Sequence, residues 1–140
     1  GVQGIGYAQR IRAGELDAVV ARLRADGLPQ FRVWRGQPRE EYTAIVLIEP
    51  RDARNLAAFG YDMATEPVRR AAMDRARDEA VAAASGKVTL VQEIDAAKQS
   101  GFLIYLPVYD GTVVPADLQG RRRHLAGGAM ICDGSKPAGP

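Results

Sequence analysis

The stretch Phe102-Leu103-Ile104-Tyr105-Leu106-Pro107-Val108-Tyr109 decides which fold this sequence predicts. It is rich in aromatic and branched apolar side chains, and its length is typical of a β-strand. Pro107 lacks an N–H group and therefore indicates an edge, a bulge or the end of that strand. Residues 87–94 predict a preceding strand, which the polar residues 95–101 join to it as an antiparallel partner. Residues 125–131 predict a last strand, so three strands follow one another near the carboxyl end.

The amino-terminal half of the chain predicts one helix and two strands. Residues 14–26 have apolar side chains at helical spacing, and Gly27 and Pro29 are typical of a helix end. These apolar positions are Leu16, Val19, Val20 and Leu23. Residues 31–34 alternate as a strand does. Residues 42–48 form a continuous apolar run, which favours a strand that is covered on both faces.

Two further helices are predicted between these strands and the last three. One covers residues 51–59 and ends at Gly60. The other begins near Thr65, which suits the N-cap position, and runs to about Ala84 before Gly86. Strands that occur in consecutive runs, separated by helices, predict an α+β domain. We expect an antiparallel sheet with the helices packed on one face.

Length and composition limit the classes of protein to which this chain can belong. The 140 residues fit one domain, and 46% hydrophobic with 26% charged residues is ordinary for a globular chain. A net charge of only +2 argues against a nucleic-acid partner. One Cys and one His exclude a disulfide framework and a multi-histidine metal site, so we expect no metal and no cofactor.

The sequence also predicts the limits of the domain. Residues 1–132 are predicted to form one domain, and residues 133–140, rich in Gly, Pro and Ser, a flexible tail or linker. The apolar run at residues 44–48 is far shorter than the roughly 20 residues of a membrane-spanning helix. We therefore expect a soluble piece, either a whole protein or an excised domain.

Three patterns favour no specific chemistry. The glycines of residues 1–6 have the wrong spacing for a phosphate loop, and this stretch is interpreted as a loose terminus that enters a helix. The basic run at residues 121–124 is interpreted as a solvated turn or helix start, although such a run can also contact nucleic acid or anionic lipid. His124 and Cys132 are weak evidence for a base and a nucleophile, since a small apolar role explains Cys132 as well.

Asp62 is the informative residue, because it follows Phe59-Gly60-Tyr61 directly and lies between two predicted helices. Its carboxylate could cap the following helix or form an Asx turn. It could instead point into an apolar cleft and accept hydrogen bonds from a ligand, which is the usual design of a small-molecule site. The residues alone leave both interpretations open.

An ordered series of short motifs carries a resemblance to a known family. The series runs Gly4-Ile5-Gly6-Tyr7, Gly27-Leu28-Pro29-Gln30-Phe31, Glu49-Pro50, Phe59-Gly60-Tyr61-Asp62, Pro67-x-x-Arg70, Gly86-Lys87-Val88-Thr89-Leu90, Gly101-Phe102, Pro107-Val108-Tyr109 and Leu125-Ala126-Gly127-Gly128. This order resembles the CHASE domain, the extracellular sensing domain of histidine kinases and nucleotide cyclases, over nearly the whole chain.

The resemblance implies a fold and a function. Such domains have PAS-like antiparallel sheets with flanking helices and lie outside the cytoplasmic membrane. They bind small molecules and catalyse nothing themselves. The parent protein would be a membrane-anchored histidine kinase or diguanylate cyclase, which we expect to be a homodimer in the full receptor. The alternative is a ligand-free PAS-like module with a structural or dimerisation role.

The resemblance also implies ligand-binding residues. Asp62 and Leu90 match residues that contact the ligand in plant cytokinin receptors, whereas Val91 replaces a threonine there, so we expect a different ligand. The closing strand is expected to floor the pocket through Gly127, Gly128 and Ala129. The expected ligand lies between the sheet and the segment from Phe59 to Met73. The further residues expected to line it are Phe59, Tyr61, Met73 and Tyr105.

Overall fold

The computed structural model describes residues 1–35, 38–90 and 100–134. Four α-helices and six strands alternate along these residues. They are β1 (Val2–Arg12), α1 (Leu16–Ala25), β2 (Glu41–Glu49), α2 (Ala53–Leu56), α3 (Pro67–Glu79), β3 (Ala83–Ala84), β4 (Val88–Thr89), β5 (Ser100–Tyr109), α4 (Leu118–Arg123) and β6 (Leu125–Gly134). Short 3-10 turns cover residues 13–15 and 63–65.

The six strands within the described residues form one antiparallel sheet. Their order is β2-β1-β6-β5-β3, and β4 also pairs with β5. The first and last strands therefore lie side by side in the middle of the sheet. The fold class predicted from the sequence, α+β with a PAS-like antiparallel sheet and flanking helices, is confirmed.

The helices cover both faces of the sheet rather than one. Ala44 and Ile45 are neighbours in β2, so their side chains point to opposite faces. Ala44 belongs to an apolar cluster with Val19 of α1, whereas Ile45 belongs to a cluster with Ala76 of α3. The prediction of helices on a single face is wrong because the order of elements does not say to which face each helix returns.

Strand β1 corrects the interpretation of residues 1–6 as a loose terminus. Its ladder joins Gly6 to Ile48 on one side and to Met130 on the other. Glycine has low strand propensity, so the pattern does not predict a strand. A Cβ atom on Gly6 would lie 2.2 Å from the carbonyl oxygen of Leu47. Glycine is therefore required here by the close approach of β2 and not by chain flexibility.

Helix α3 is shorter than the predicted helix from Thr65 to Ala84. The side chain of Glu66, not Thr65, caps its first turn by accepting from the backbone N–H groups of Val68 and Arg69. The helix ends at Ala80, which has a left-handed backbone with φ of 54°. Ala83 and Ala84 then pair with Tyr105 and Ile104 of β5. Tertiary pairing thus overrides the helical propensity of this alanine-rich stretch.

The remaining predicted elements agree with the structure to different degrees. The helix at 14–26 and the strands at 42–48, 102–109 and 125–131 are confirmed within a few residues. The predicted helix at 51–59 is reduced to four residues, Ala53–Leu56. Residues 31–34 form no strand, and only Trp34 makes an isolated bridge, to Tyr61.

Two predicted segments extend beyond the described part of the chain. The strand predicted at 87–94 is described only to residue 90, where β4 pairs Val88 with Gly101. Strand β6 includes Asp133 and Gly134, which the sequence assigns to the tail. Residues 135–140 lie outside the described residues.

Candidate functional site

The backbone around Asp62 is held between Trp34 and strand β2. The N–H of Trp34 donates to the carbonyl of Gly60 at 3.0 Å, and the N–H of Asp62 donates to the carbonyl of Trp34 at 3.1 Å. On the other side, the N–H of Ile45 donates to the carbonyl of Tyr61 at 3.2 Å. These bonds fix the position from which the Asp62 side chain enters the core.

The Asp62 carboxylate is fully buried, with 0% of the residue exposed, and it has protein partners on both oxygens. Its Oδ1 accepts from the backbone N–H of Thr43 at 2.9 Å and of Ala64 at 3.3 Å. Its Oδ2 forms an ion pair with Nη2 of Arg39. The bond to Ala64 confirms the interpretation of Asp62 as a cap, here of the 3-10 turn at residues 63–65.

A cavity of about 80 Å³ lies between helix α3 and the sheet, beside this ion pair. Its walls come from β2, α3, β5, the first residue of β6 and the segment that follows Asp62. The residues that line it include Arg39, Glu41, Met73, Arg77, Tyr105 and Leu125. Asp62 therefore stands behind the cavity wall and reaches the cavity through Arg39.

Two buried polar atoms of residues that line this cavity have no hydrogen-bond partner among the described residues. They are Nε of Arg39 and the hydroxyl oxygen of Tyr105. Buried polar groups are nearly always paired in native proteins, because an unpaired one forfeits its bond to water. Two residues of one cavity wall thus each have a polar atom that only water or a polar ligand would satisfy.

The Tyr105 hydroxyl is kept neutral by its surroundings. Burial is the main cause that raises the pKa of Tyr105, and the neighbouring Tyr7 adds to it. The ring lies against the glycine backbone of β6, since a Cβ atom on Gly128 would be only 2.0 Å from Cζ of Tyr105. Gly128 thus makes room for the ring at the cavity wall, as a floor residue would.

The carboxylates near the cavity are paired with arginines. Glu41 accepts from Arg10 at 2.8 Å. Asp74 lies 3.8 Å from Nε of Arg70 and 3.6 Å from Nη1 of Arg77. The charges of these carboxylates are thus balanced by arginines, whereas Arg39 Nε and the Tyr105 hydroxyl have no hydrogen-bond partner among the described residues. Of these two unpaired groups, the guanidinium N–H can only donate, and the hydroxyl can donate or accept.

The structure brings together only part of the predicted ligand-binding set at this cavity. Met73 and Tyr105 line it, Gly128 contacts Tyr105, and Asp62 holds Arg39. Gly127 and Ala129 are the neighbours of Gly128 in β6 and point to the opposite face of the sheet, where Ala129 pairs with Tyr7. Val91 lies outside the described residues.

Leu90 and Tyr61 line a different depression, an open groove of about 670 Å³ between Trp34 and the start of α3. Arg69, which is also in its wall, is fully engaged there. Its Nη2 donates to the carbonyl of Thr89 at 2.6 Å, and its guanidinium stacks over the ring of Tyr61. Phe59 borders a third depression, beside the loop after α1. Both depressions are larger than the cavity, but neither contains an orphaned buried polar atom among the described residues.

Sequence reasoning missed Arg39 and Arg77. The chain has 19 Lys and Arg residues, and Arg39 follows a Gly-Gln-Pro turn that shows no pattern of its own. Only the pairing of Arg39 with Asp62 across 23 residues of sequence distinguishes it. No local signal could have identified it.

The other candidate groups are not brought together as a catalytic site. Cys132 is buried in the apolar cluster beneath α3, as the interpretation of a small apolar residue predicts. The basic run forms the end of helix α4 and its C-cap, His124. Within residues 1–35, 38–90 and 100–134, no group of three or more Cys, His, Asp or Glu side chains is placed to hold a metal ion. No helix there has the length and apolarity needed to cross a bilayer.

The curled antiparallel sheet, with helices on both faces and a cavity beneath α3, defines a PAS-like α+β domain. A family model for the CHASE domain matches residues 1–132, and the chain belongs to this family. CHASE domains are non-catalytic sensor domains of signalling receptors. A search of curated proteins finds no match.

Proposed function

We propose that this chain is the extracytoplasmic, small-molecule-binding sensor domain of a membrane-anchored histidine kinase or diguanylate cyclase. The observation that carries the proposal is that two residues lining one cavity beneath α3, Arg39 and Tyr105, each have a buried polar atom without a partner, Nε and Oη. Membership of the CHASE family supports the receptor context and the position outside the cytoplasmic membrane.

The energetics favour an occupied cavity. Each buried polar atom without a partner costs about 1–3 kcal/mol. A ligand that hydrogen-bonds both atoms recovers that cost, and bonds to a charged group such as Arg39 contribute about 1.5–3 kcal/mol. The free energy gained when a ligand occupies the cavity is therefore larger than its apolar contacts alone would provide.

Asp62 acts in this proposal by holding Arg39 and not by contacting the ligand. Its oxygens already accept from Thr43, Ala64 and Arg39. A buried carboxylate fixes the direction of a guanidinium better than water does, because the charge-assisted bond is short and directional. The predicted importance of Asp62 is thus retained, with a different role.

The cavity walls suggest how binding changes the domain. Met73 and Arg77 lie on α3, whereas Tyr105 and Leu125 belong to the sheet. A ligand that bonds to both sides favours the packing in which α3 lies closest to the sheet. It shifts that equilibrium only by its difference in affinity for the two packings. Strand β6 begins at the cavity with Leu125 and carries this change towards Gly134.

A thermal-shift screen of small polar molecules of every charge type tests this proposal. A ligand at 100 times its dissociation constant stabilises the domain by about 2.7 kcal/mol. We expect at least one hit whose stabilisation is lost in Tyr105→Phe, which keeps the ring and removes the hydroxyl. Tyr109→Phe is the matched control, because Tyr109 is on the same strand and is not among the residues that line the cavity. A domain that no small molecule stabilises would contradict the proposal.

The ligand-free dimerisation module remains the second candidate because one face of the sheet exposes large apolar side chains. Ile5, Leu47 and Leu106 are 57%, 43% and 44% exposed. The register of β1 with its neighbours places all three on the face opposite α3. Such a patch suits a second copy of the chain, as in a homodimeric receptor. Sedimentation of the wild type and of Leu106→Lys at increasing concentration tests it, and a wild type that stays monomeric throughout would eliminate this interface.

A further inference from the structure

We infer that the cavity beneath α3 takes a small monocarboxylate, with its carboxylate between Arg39 and Tyr105 and its short carbon chain against Met73 and Leu125. This inference rests on the proposed function and names its ligand class. It differs from the expectation that the Asp62 carboxylate itself accepts hydrogen bonds from the ligand.

The unpaired polar atoms of the two cavity residues can both act as donors. A guanidinium has N–H donors and no acceptor, so any atom that satisfies Arg39 Nε must be an acceptor. Tyr105 is 1% exposed, and its buried, neutral hydroxyl can donate its proton to the same ligand. Two donors of this kind are satisfied together by the two oxygens of a carboxylate.

The charges around the cavity leave room for one negative charge. The carboxylates are Asp62, Glu41 and Asp74, which together carry three negative charges. The arginines paired with them are Arg39, Arg10, Arg70 and Arg77, which carry four positive charges. Adding the neighbouring pair of Asp78 and Arg122 leaves the difference at one. A monoanion neutralises this excess, whereas a cation or a dianion does not.

The volume sets the size of the ligand. A cavity of about 80 Å³ corresponds to about two or three water molecules, since each occupies roughly 30 Å³ in the liquid. A purine or a dipeptide is too large for it. A carboxylate with a short alkyl or hydroxyalkyl group fits, and its apolar end meets the side chains of Met73, Ala64 and Leu125.

Titration calorimetry of the domain in Tris chloride buffer tests the inference. The probes are acetate, propionate and butyrate, with propionamide as the neutral match and propylammonium as the cationic match. We expect the carboxylates to bind and both matched probes to be at least tenfold weaker. Tyr105→Phe and Arg39→Lys should each weaken propionate binding by about tenfold, because each removes one bond to the charged carboxylate. Tyr109→Phe should bind propionate as the wild type does.

The outcomes separate this inference from the proposed function. Binding of propionamide or propylammonium that is lost in Tyr105→Phe would overturn the carboxylate class and leave the sensor proposal standing. Binding of no probe, with no hit in the wider thermal-shift screen, would overturn both. Equal binding of propionate by Tyr105→Phe, Arg39→Lys and wild type would place the carboxylate elsewhere and overturn the inference. If neither variant folds, the preference of the wild type among propionate, propionamide and propylammonium decides whether the carboxylate inference stands.

Tyr61→Phe shows whether the open groove is the true site. Tyr61 lines the groove at Leu90 and is not part of the cavity wall. We expect this variant to bind propionate with unchanged affinity. A tenfold loss in Tyr61→Phe, with wild-type affinity in Tyr105→Phe, would move the ligand to the groove and refute the assignment to the cavity.

Discussion

Asp62 combines a structural and an electrostatic task because its two oxygens face different partners. Oδ1 accepts from the backbone of Thr43 and Ala64, which needs only an acceptor. Oδ2 faces the Arg39 guanidinium, which needs a negative charge. A neutral side chain of the same shape keeps the first task and loses the second, so substitution can separate them.

Asp62→Asn should lower the free energy of unfolding by about 2–4 kcal/mol. Removing one partner of a buried ion pair leaves the other charge uncompensated, and the 28% exposure of the Arg39 side chain relieves part of that cost. Urea unfolding followed by circular dichroism measures the change. The double variant Asp62→Asn with Arg39→Gln should recover part of the lost stability. A double variant less stable than Asp62→Asn would contradict the view that the lone guanidinium is what costs stability.

Sequence reasoning located Asp62 but not its partner, for a physical reason. The position after Phe59-Gly60-Tyr61 marks a turn between two apolar segments. A lone carboxylate in such a turn can be recognised from the sequence alone. The pairing with Arg39 depends on the bridges that place residues 60–62 between Trp34 and β2. A long-range contact of this kind leaves no local periodicity, so it cannot be read from the chain.

Helix α3 forms one wall of the cavity, and its two ends are set by different interactions. Its start is a local feature, because Glu66 and Pro67 are typical first-turn residues. Its end is not, because alanine continues beyond Glu79 and favours further helix. The chain instead adopts a left-handed conformation at Ala80 and returns to pair with β5.

Ala80→Gly should stabilise the domain by about 0.5–1 kcal/mol. A left-handed conformation costs a residue with a Cβ atom about 1–2 kcal/mol, and the greater flexibility of unfolded glycine offsets part of the gain. Ala71→Gly is the matched control, since Ala71 is exposed in the interior of α3 and should lose about 1 kcal/mol. Thermal unfolding of the three proteins measures both changes. Destabilisation by both substitutions would show that α3 does not end at Ala80 in solution.

A cluster around Asp78 joins α3 to α4. Its carboxylate accepts from Nη2 of Arg122 at 3.0 Å and from Nε of Arg77 at 2.7 Å, and its backbone carbonyl accepts from Arg121 at 3.1 Å. The hydrogen bonds from Arg122 and then Arg77 hold the pKa of the Asp78 carboxyl well below its usual range. This cluster couples the helix over the cavity to the helix that leads into β6.

The low pKa of Asp78 predicts how its contribution to stability varies with pH. A carboxyl whose pKa is lowered by folding stabilises the folded state fully above its unfolded pKa of about 3.9. That contribution is lost as the pH falls below this value towards the folded pKa. Asp78→Asn should therefore be less stable than wild type at pH 7, by the small amount typical of an exposed pair.

Urea titrations of wild type and Asp78→Asn at pH 7, 5, 4 and 3 measure this difference. The two midpoints should differ equally at pH 7 and 5 and approach each other from pH 4 downwards. Asp17→Asn is the control, because Asp17 on α1 lies away from this cluster and should show no such convergence. A gap that is unchanged at pH 3 would refute the role assigned to the carboxylate.

Periodic patterns predicted the helices and strands that depend on local spacing and missed those that depend on long-range contacts. The apolar runs that became β2, β5 and β6 and the amphipathic helix α1 depend on local spacing, and all four were predicted. Strand β1 was missed because the close approach of Leu47 in β2 requires a glycine in it, and glycine does not indicate a strand. Met73 and Tyr105, which line the cavity, were expected at the site from the family resemblance and not from a periodic pattern, and neither source indicated the arginines.

The whole molecule is organised around the pairing of its most distant strands. Strands β1 and β6 lie next to each other in the centre of the sheet, and Ala8 pairs with Gly128 directly behind the Tyr105 ring. The two ends of this pair meet as well. The nitrogen of Gly1 donates to the carbonyl of Gly134, and the nitrogen of Gly134 donates to the carbonyl of Gly1, both at 3.0 Å. A pull on either end therefore acts on the two central strands, of which β6 reaches the cavity through Leu125.

This arrangement predicts that the chain tolerates circular permutation. Joining Gly134 to Gly1 through about four residues would turn β6 and β1 into a hairpin, since such loops are typically short. New ends between Gly111 and Thr112 fall in an exposed loop after β5, where a break disturbs little packing. We expect this permutant to show a cooperative thermal transition and to refold faster than the wild type, because its central pairing is now local. A permutant opened between Gln9 and Arg10, inside β1, should not fold. If the first permutant also fails to fold, the adjacency of Gly1 and Gly134 depends on the native order of the chain, and the ends cannot act on the sheet as one unit.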